Sequence, residues 1–270
     1  MDFKTKEISD FYECDYNEIP KIIHIIWKGG EWPQYGLNQI YGWQSRLDAS
    51  WTILPYNDGN LTFIKENSDE YGKRIFKMAE YMPEIASYVD IIRLYIIYIY
   101  GGYYFDADFQ VFNSLEPISH VDSDLIICNS TKAYYPYVDN SFFAAKKGNG
   151  FIKYCLDTLL ERYESNPEGM KKDWIVSRTG PIFFGEMFYN YKNFKRIVKE
   201  IPFKYLYRNQ PGDGLIINTA EGIIVEDVKE TFEERFARHM FNSNCIYNWL
   251  WGTFIVRNKT IFLIMQNMVF

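Results

Sequence analysis

The sequence predicts a single α/β domain, a sheet of largely parallel strands flanked by helices. Three observations predict it. A β-branched run, Lys21 to Trp27, lies between Pro20 and Gly29-Gly30, apolar along both faces as a strand covered on two sides must be. Strand and helix patterns then alternate at the spacing of βαβ units. Finally, a long apolar helix meets a Gly-Gly break and an aromatic strand that delivers two aspartates at its C-terminal end, where open α/β sheets place their ligands.

Taken in order, residues 1–19 are polar and acidic and read as a short helix or arm ended by Pro20. After the first strand a helix is expected over 36–48, a strand over 51–55, and one or two helices over 60–80 beyond the Asp58-Gly59 turn. The long helix runs from about Pro83 to Tyr100, stops at Gly101-Gly102, and is followed by the strand Tyr103–Phe105. Strands are expected over 124–128 and 141–145, a helix over 149–163, loop over 164–180, and a helix over 181–191. Short strands and turns follow, notably at 212–214 and 222–225, then an apolar tail, 254–270, bearing Arg257 and Lys259. That tail fits either a helix packed on the core or an amphipathic membrane contact. With no repeat or linker, the 270 residues read as one domain.

Composition narrows the function classes. Apolar residues make up 47% and charged residues 24%, as in a soluble globular protein. A net charge of −6 argues against a nucleic-acid backbone as partner, yet permits a small anionic ligand whose charge a metal offsets. Cys14, Cys128, Cys155 and Cys245 lie far apart without metal-ligand spacing, as expected of reduced, buried thiols in the cytosol. The N-terminus has no apolar signal core, and the run Leu94–Phe105 is too short to span a bilayer.

The chemistry concentrates on Asp106-Ala-Asp108. Two carboxylates one residue apart can share a hard cation while leaving coordination sites for phosphate oxygens, so Mg²⁺ or Mn²⁺ fits. An aspartyl-phosphate hydrolase would need Thr or Val four positions after the first Asp, where Gln110 stands. Asp90 and Arg93 share one face of the apolar helix and must be paired or ligand-bound, either as an internal salt bridge or as a grip on sugar hydroxyls. Trp27, before Gly29-Gly30, is either a core aromatic or a surface for a base. His24 reads as a core histidine, His120 carries no signal, and His239 lies in a polar stretch with Asn242, Ser243 and Asn244. Zinc-hydrolase, P-loop and Gly-x-Ser-x-Gly motifs are absent.

Four blocks in order carry a resemblance: Ile19-Pro-Lys-Ile-Ile-His-Ile-Ile-Trp27, Ala86-Ser-Tyr-Val-Asp90-Ile-Ile-Arg93, Gly101-Gly-Tyr-Tyr104 and Asp106-Ala-Asp108. Together they resemble glycosyltransferase family 32, which includes capsular polysaccharide enzymes and Golgi mannosyltransferases and is related to toxin glucosyltransferase domains. Val89 replaces the usual Ser, and the likeness continues weakly through Asn140–Ala145 and Thr179–Pro181.

The resemblance implies a GT-A type, Rossmann-like mixed sheet flanked by helices. A nucleotide-sugar half would span about 19–110, an acceptor and closing half about 111–253. It also implies a hexosyltransferase using a nucleotide-sugar donor, a UDP-sugar ahead of a GDP-sugar, with Mn²⁺ or Mg²⁺, retention of configuration, and a glycan or lipid-linked acceptor. The expected setting is capsular or surface polysaccharide synthesis, in the cytoplasm or at the inner face of the membrane. By this carry-over Asp108 ligates the metal, Asp106 contacts metal or ribose, Trp27 stacks on the base, Asp90 and Arg93 grip the donor sugar, and Tyr104 and Gly102 belong to the donor pocket. His239 and Ser243 match the family's closing loop in part. Asn244 stands where its Trp is expected, and Asn248-Trp249 is a second candidate. The competing classes are a glycoside hydrolase with paired carboxylates and a noncatalytic sugar- or nucleotide-binding protein.

Overall fold

A computed structural model describes residues 18–111, 115–129, 138–193, 198–202, 216–217 and 226–227. A seven-stranded mixed sheet carries the fold. Its strands are β1 (Ile22–Ile26), β2 (Thr52–Tyr56), β3 (Gly102–Phe105), β5 (Leu125–Asn129), β6 (Val138–Ala145), β7 (Lys199–Pro202) and β9 (Glu226–Asp227), in the spatial order β2-β1-β3-β6-β5-β7-β9. β1 pairs in parallel with β2 and β3, while β6 runs antiparallel between β3 and β5. A separate parallel pair joins β4 (Gln110–Val111) to β8 (Ile216–Ile217).

Period-two alternation gives each face of the sheet its own core. Ile22 and Ile26 of β1, Tyr104 of β3 and Phe143 of β6 face one apolar cluster. Ile23 and Ile25, Tyr103 and Phe105, and Phe142 face the other. The first cluster is closed by α2 (Asp58–Glu66), α3 (Glu70–Tyr81), α4 (Ile85–Tyr100), α6 (Gly150–Ser165) and α9 (Pro181–Asn190), the second by α1 (Gln34–Arg46) among others. Short side chains start several of these helices: Asn57 and Asn60 form a reciprocal capping pair on α2, Asp69 caps α3, and Asn149 caps α6.

Residues 164–180, expected as loop, instead hold two short helices, α7 (Pro167–Lys172) and α8 (Ile175–Arg178). The cause is local. Asn166 accepts from the Gly169 amide just ahead of Pro167, a helix start that the Pro and Gly content hides. A third short helix, α5 (Glu116–Ser119), precedes β5. The expected turns at 212–214 and 222–225, the N-terminal arm up to residue 17 and the apolar tail 254–270 lie outside the described residues.

The α4–β3 turn positions the site. Gly101 and Gly102 have φ of 69° and 105°, left-handed values that favour glycine. A Cβ on Gly102 would sit 2.6 Å from the Ile22 carbonyl oxygen and 2.9 Å from His24 Nε2. His24 meets the Gly101 carbonyl at 2.8 Å and the Tyr56 hydroxyl at 2.9 Å, and burial pushes its pKa down to about 4, so it is a neutral core residue.

Candidate active site

The C-terminal ends of β1 and β3 and the N-terminal end of β6 meet at one edge of the sheet, because β6 is antiparallel to β3. Trp27 leaves β1 there, Asp106 leaves β3, and Asp139 and Asn140 enter β6. α4 runs back over β3 from this edge, so its N-terminal half overhangs it. Asp106 and Asp108 lie on the turn beyond β3 rather than on the strand itself; the Asp106 amide still donates to the Ser141 carbonyl at 3.0 Å.

Alternation points Tyr104 and Asp106 towards α4, and Arg93 meets both. The guanidinium lies 4.7 Å from the Tyr104 ring centroid. One of its nitrogens, Nη1, is 3.1 Å from Asp106 Oδ1 and donates to the Asn140 carbonyl at 2.6 Å, while Nη2 is 2.9 Å from Asp90 Oδ1. Asp90 and Arg93 are only 6% and 5% exposed, which confirms the internal ion pair as one of their roles. Two residues from the second half complete the arrangement. Asn140 Nδ2 donates to Asp90 Oδ1 and Thr179 Oγ1 to Asp90 Oδ2, each at 2.9 Å.

Tyr104 is fully buried and donates to Asp106 Oδ1 at 2.6 Å. It therefore supports Asp106 and Arg93 from behind. Gly102 stands at the opposite end of β3 from Asp106, roughly 13 Å away at strand rise, packed on β1 and His24. His239, Ser243, Asn248 and Trp249 lie outside the described residues.

Burial and mutual repulsion raise the proton affinity of the two aspartates. The Asp106 carboxyl is pushed up to about 6, chiefly by burial, with Arg93 opposing. Asp108 is pushed up to about 7 by burial and by the charge of Asp106. Asp139, buried and accepting from the Ser141 amide at 2.7 Å, adds a third negative charge to both. Among the described residues no set of three or more His, Cys, Asp or Glu forms a ready-made metal cage. Two adjacent carboxylates under electrostatic strain fit a Mg²⁺ or Mn²⁺ ion completed by substrate phosphates.

Trp27 is partly buried. Its ring lies 5.9 Å from Trp32, tilted at 35°, and 5.8 Å edge-on from Tyr35. Its indole Nε1 is buried without a hydrogen-bond partner among the described residues. Asp58, in the first turn of α2, ties the strand end down. It accepts from the Gly29 and Gly30 amides at 3.2 and 2.8 Å and pairs with Lys28 at 2.5 Å.

Residues 18–126, the stretch holding Trp27, Asp90, Arg93, Asp106 and Asp108, match the family described as "Glycosyltransferase sugar-binding region containing DXD motif". Over this stretch the chain is similar to the DXD-containing glycosyltransferases. It is similar to mannosyl phosphorylinositol ceramide synthase CSH1 of Saccharomyces cerevisiae, 28% identical over 76% of this chain and 51% of that protein. It is also similar to inositol phosphoceramide mannosyltransferase 1 of Schizosaccharomyces pombe, 23% identical over 66% of this chain and 53% of that one. This chain thus spans about half the length of the curated relatives it matches. The solved structure of the PaToxG glycosyltransferase shares its GT-A type fold, with a TM-score of 0.50 at 20% identity over 64% of this chain and 70% of that one. No helix among the described residues is long and apolar enough to cross a membrane.

Two site residues, Asp139 and Trp32, escape a reading of the sequence by motif. Asn140 and Thr179 fall where the resemblance continues weakly, but at 50 and 89 residues from Asp90 no local spacing shows that they bond it. Asp139 carries no signal beyond its place beside Asn140. Trp32 could have been suspected from its aromatic neighbourhood.

Proposed function

We propose that this chain is a metal-dependent hexosyltransferase that moves a sugar from a nucleotide diphosphate donor to an acceptor hydroxyl. The observation that carries the proposal is the convergence of Asp90, Arg93, Asp106 and Asp108 at one sheet edge beside Trp27. Asp106 and Asp108 would hold Mn²⁺ or Mg²⁺, which when bound supplies positive charge against the departing diphosphate. Among the described residues, the bonds to the Asp106 carboxylate fall on Oδ1, so Oδ2 is the oxygen left for a cation or a ribose hydroxyl. Trp27 would stack on the base, with Trp32 and Tyr35 backing its ring.

Arg93 and the small remaining face of Asp90 would orient the donor hexose, donating and accepting respectively. The acceptor hydroxyl attacks the anomeric carbon as the bond to the β-phosphate oxygen breaks. Its proton passes to that departing oxygen, so no side chain need act as base. We read the outcome as retention, on the family resemblance. A glycan or lipid-linked acceptor, in surface or capsular polysaccharide synthesis, is the acceptor class we favour; the two phosphoceramide-acting relatives support a lipid-linked one. Their mannosyl names place GDP-mannose beside the UDP-hexoses as a donor to test.

The test is a screen of UDP- and GDP-hexoses with Mn²⁺, with and without EDTA. The proposal expects donor turnover that EDTA abolishes. Cleavage of sugar chains untouched by EDTA would instead favour a glycoside hydrolase.

A further inference from the structure

We propose that Thr179, together with Asn140, is a positioning residue that aims the Asp90 carboxylate at the donor sugar and thereby sets which hexose the site accepts. The inference rests on reading this site as a nucleotide-sugar site. A carboxylate accepts about four hydrogen bonds. Asp90 receives two, from Asn140 Nδ2 on Oδ1 and from Thr179 Oγ1 on Oδ2, each at 2.9 Å, and Arg93 Nη2 is ion-paired with Oδ1 at 2.9 Å. Oδ1 is thus held by two partners and Oδ2 by Thr179 alone, so the capacity left for a ligand lies mainly on Oδ2, the Thr179 side of the group. These three partners decide where it points.

Thr179 is itself held. It is 1% exposed, its amide donates to the Ile175 carbonyl at 3.1 Å, and its β-branched side chain has few rotamers. Its neighbour Arg178 is fully buried and anchors the segment to the first turn of α4. The guanidinium pairs with Glu84 and donates to Ser87 Oγ at 2.7 Å and to the Lys171 carbonyl at 2.7 Å. The second half of the chain thus reaches α4 through two consecutive side chains, one fixing the helix start and the other fixing Asp90. Asn140 is fixed in the same way, since its carbonyl accepts from Arg93 Nη1 at 2.6 Å. In a buried site such bonds are strong, and a loosened carboxylate would meet hydroxyls of either epimer.

The experiment is calorimetric titration with Mn²⁺ of UDP, GDP and their hexose conjugates into the wild-type chain, Thr179→Val and Thr179→Ser, together with kcat/KM for the best hexose and its epimers. For Thr179→Val the expected result is unchanged affinity for the bare nucleotide and a loss of about tenfold or more in discrimination between hexose epimers. Thr179→Ser, which keeps the hydroxyl, restores discrimination. Equal weakening towards bare nucleotide and nucleotide-sugar, loss of all binding in Thr179→Val, or failure of Thr179→Ser to rescue would each make Thr179 merely structural and overturn the proposal. A wild-type chain that binds no nucleotide at all would overturn the functional reading itself, an outcome distinct from these.

Discussion

At Asp106 and Asp108, burial and mutual repulsion act in the same direction. Both carboxyls bind protons more tightly than an exposed aspartate, up to about 6 and about 7. Between roughly pH 4 and 7 the metal-free folded chain therefore holds more protons than the unfolded chain, and these two groups lower stability as pH rises through that window. A divalent cation needs them ionised, so its binding must expel the protons. Mn²⁺ affinity is expected to rise steeply between pH 5.5 and 7.5. Titrations near pH 6.5 in buffers of different ionisation enthalpy should show net proton release. A pH-independent affinity with no proton release would mean that Mn²⁺ does not bind at this pair. Asp90 and Arg93 behave differently, because each already has partners inside the protein, and a ligand could use only what those partners leave open.

The turn between α4 and β3 brings these residues together, and its glycines act by packing. At Gly102 a side chain would meet the Ile22 carbonyl oxygen at 2.6 Å in a backbone conformation that L-residues avoid. Gly102→Ala is expected to cost about 3 kcal/mol or more of folding stability, measurable by urea denaturation. A loss below about 1 kcal/mol would mean that β1 and β3 yield easily. The helix, the glycine break and the aromatic strand were legible because each rests on short-range chemistry: an all-round apolar stretch, two glycines, a run of three aromatic residues. The same locality explains what was missed. α7 hides behind Pro167 and Gly169, since its start depends on the single side chain of Asn166. Tyr104 matches a donor-pocket motif, but its burial follows from which face of β3 turns towards α4, and that required the register with β6.

For the whole molecule, the sheet order places Trp27, a buried ion pair and two neighbouring aspartates on one edge, and the second half reaches them through Asn140 and Thr179. The mixed sheet in one domain follows from alternating strand and helix patterns, whereas contacts spanning 50 to 89 residues are set by topology and have no periodic trace in the sequence. If this edge is a metal-dependent sugar-transfer site, removing one negative charge from Asp108 should abolish turnover while leaving the fold intact, since its side chain lies on a turn outside both apolar cores. The decisive measurement is the rate of nucleotide-sugar turnover at saturating Mn²⁺ for the wild-type chain and Asp108→Asn, on the donor the screen selects. The account predicts a fall of about 100-fold or more at unchanged melting temperature, in line with the several kcal/mol that metal-borne charge contributes to such transition states. Turnover in Asp108→Asn equal to the wild type would contradict it.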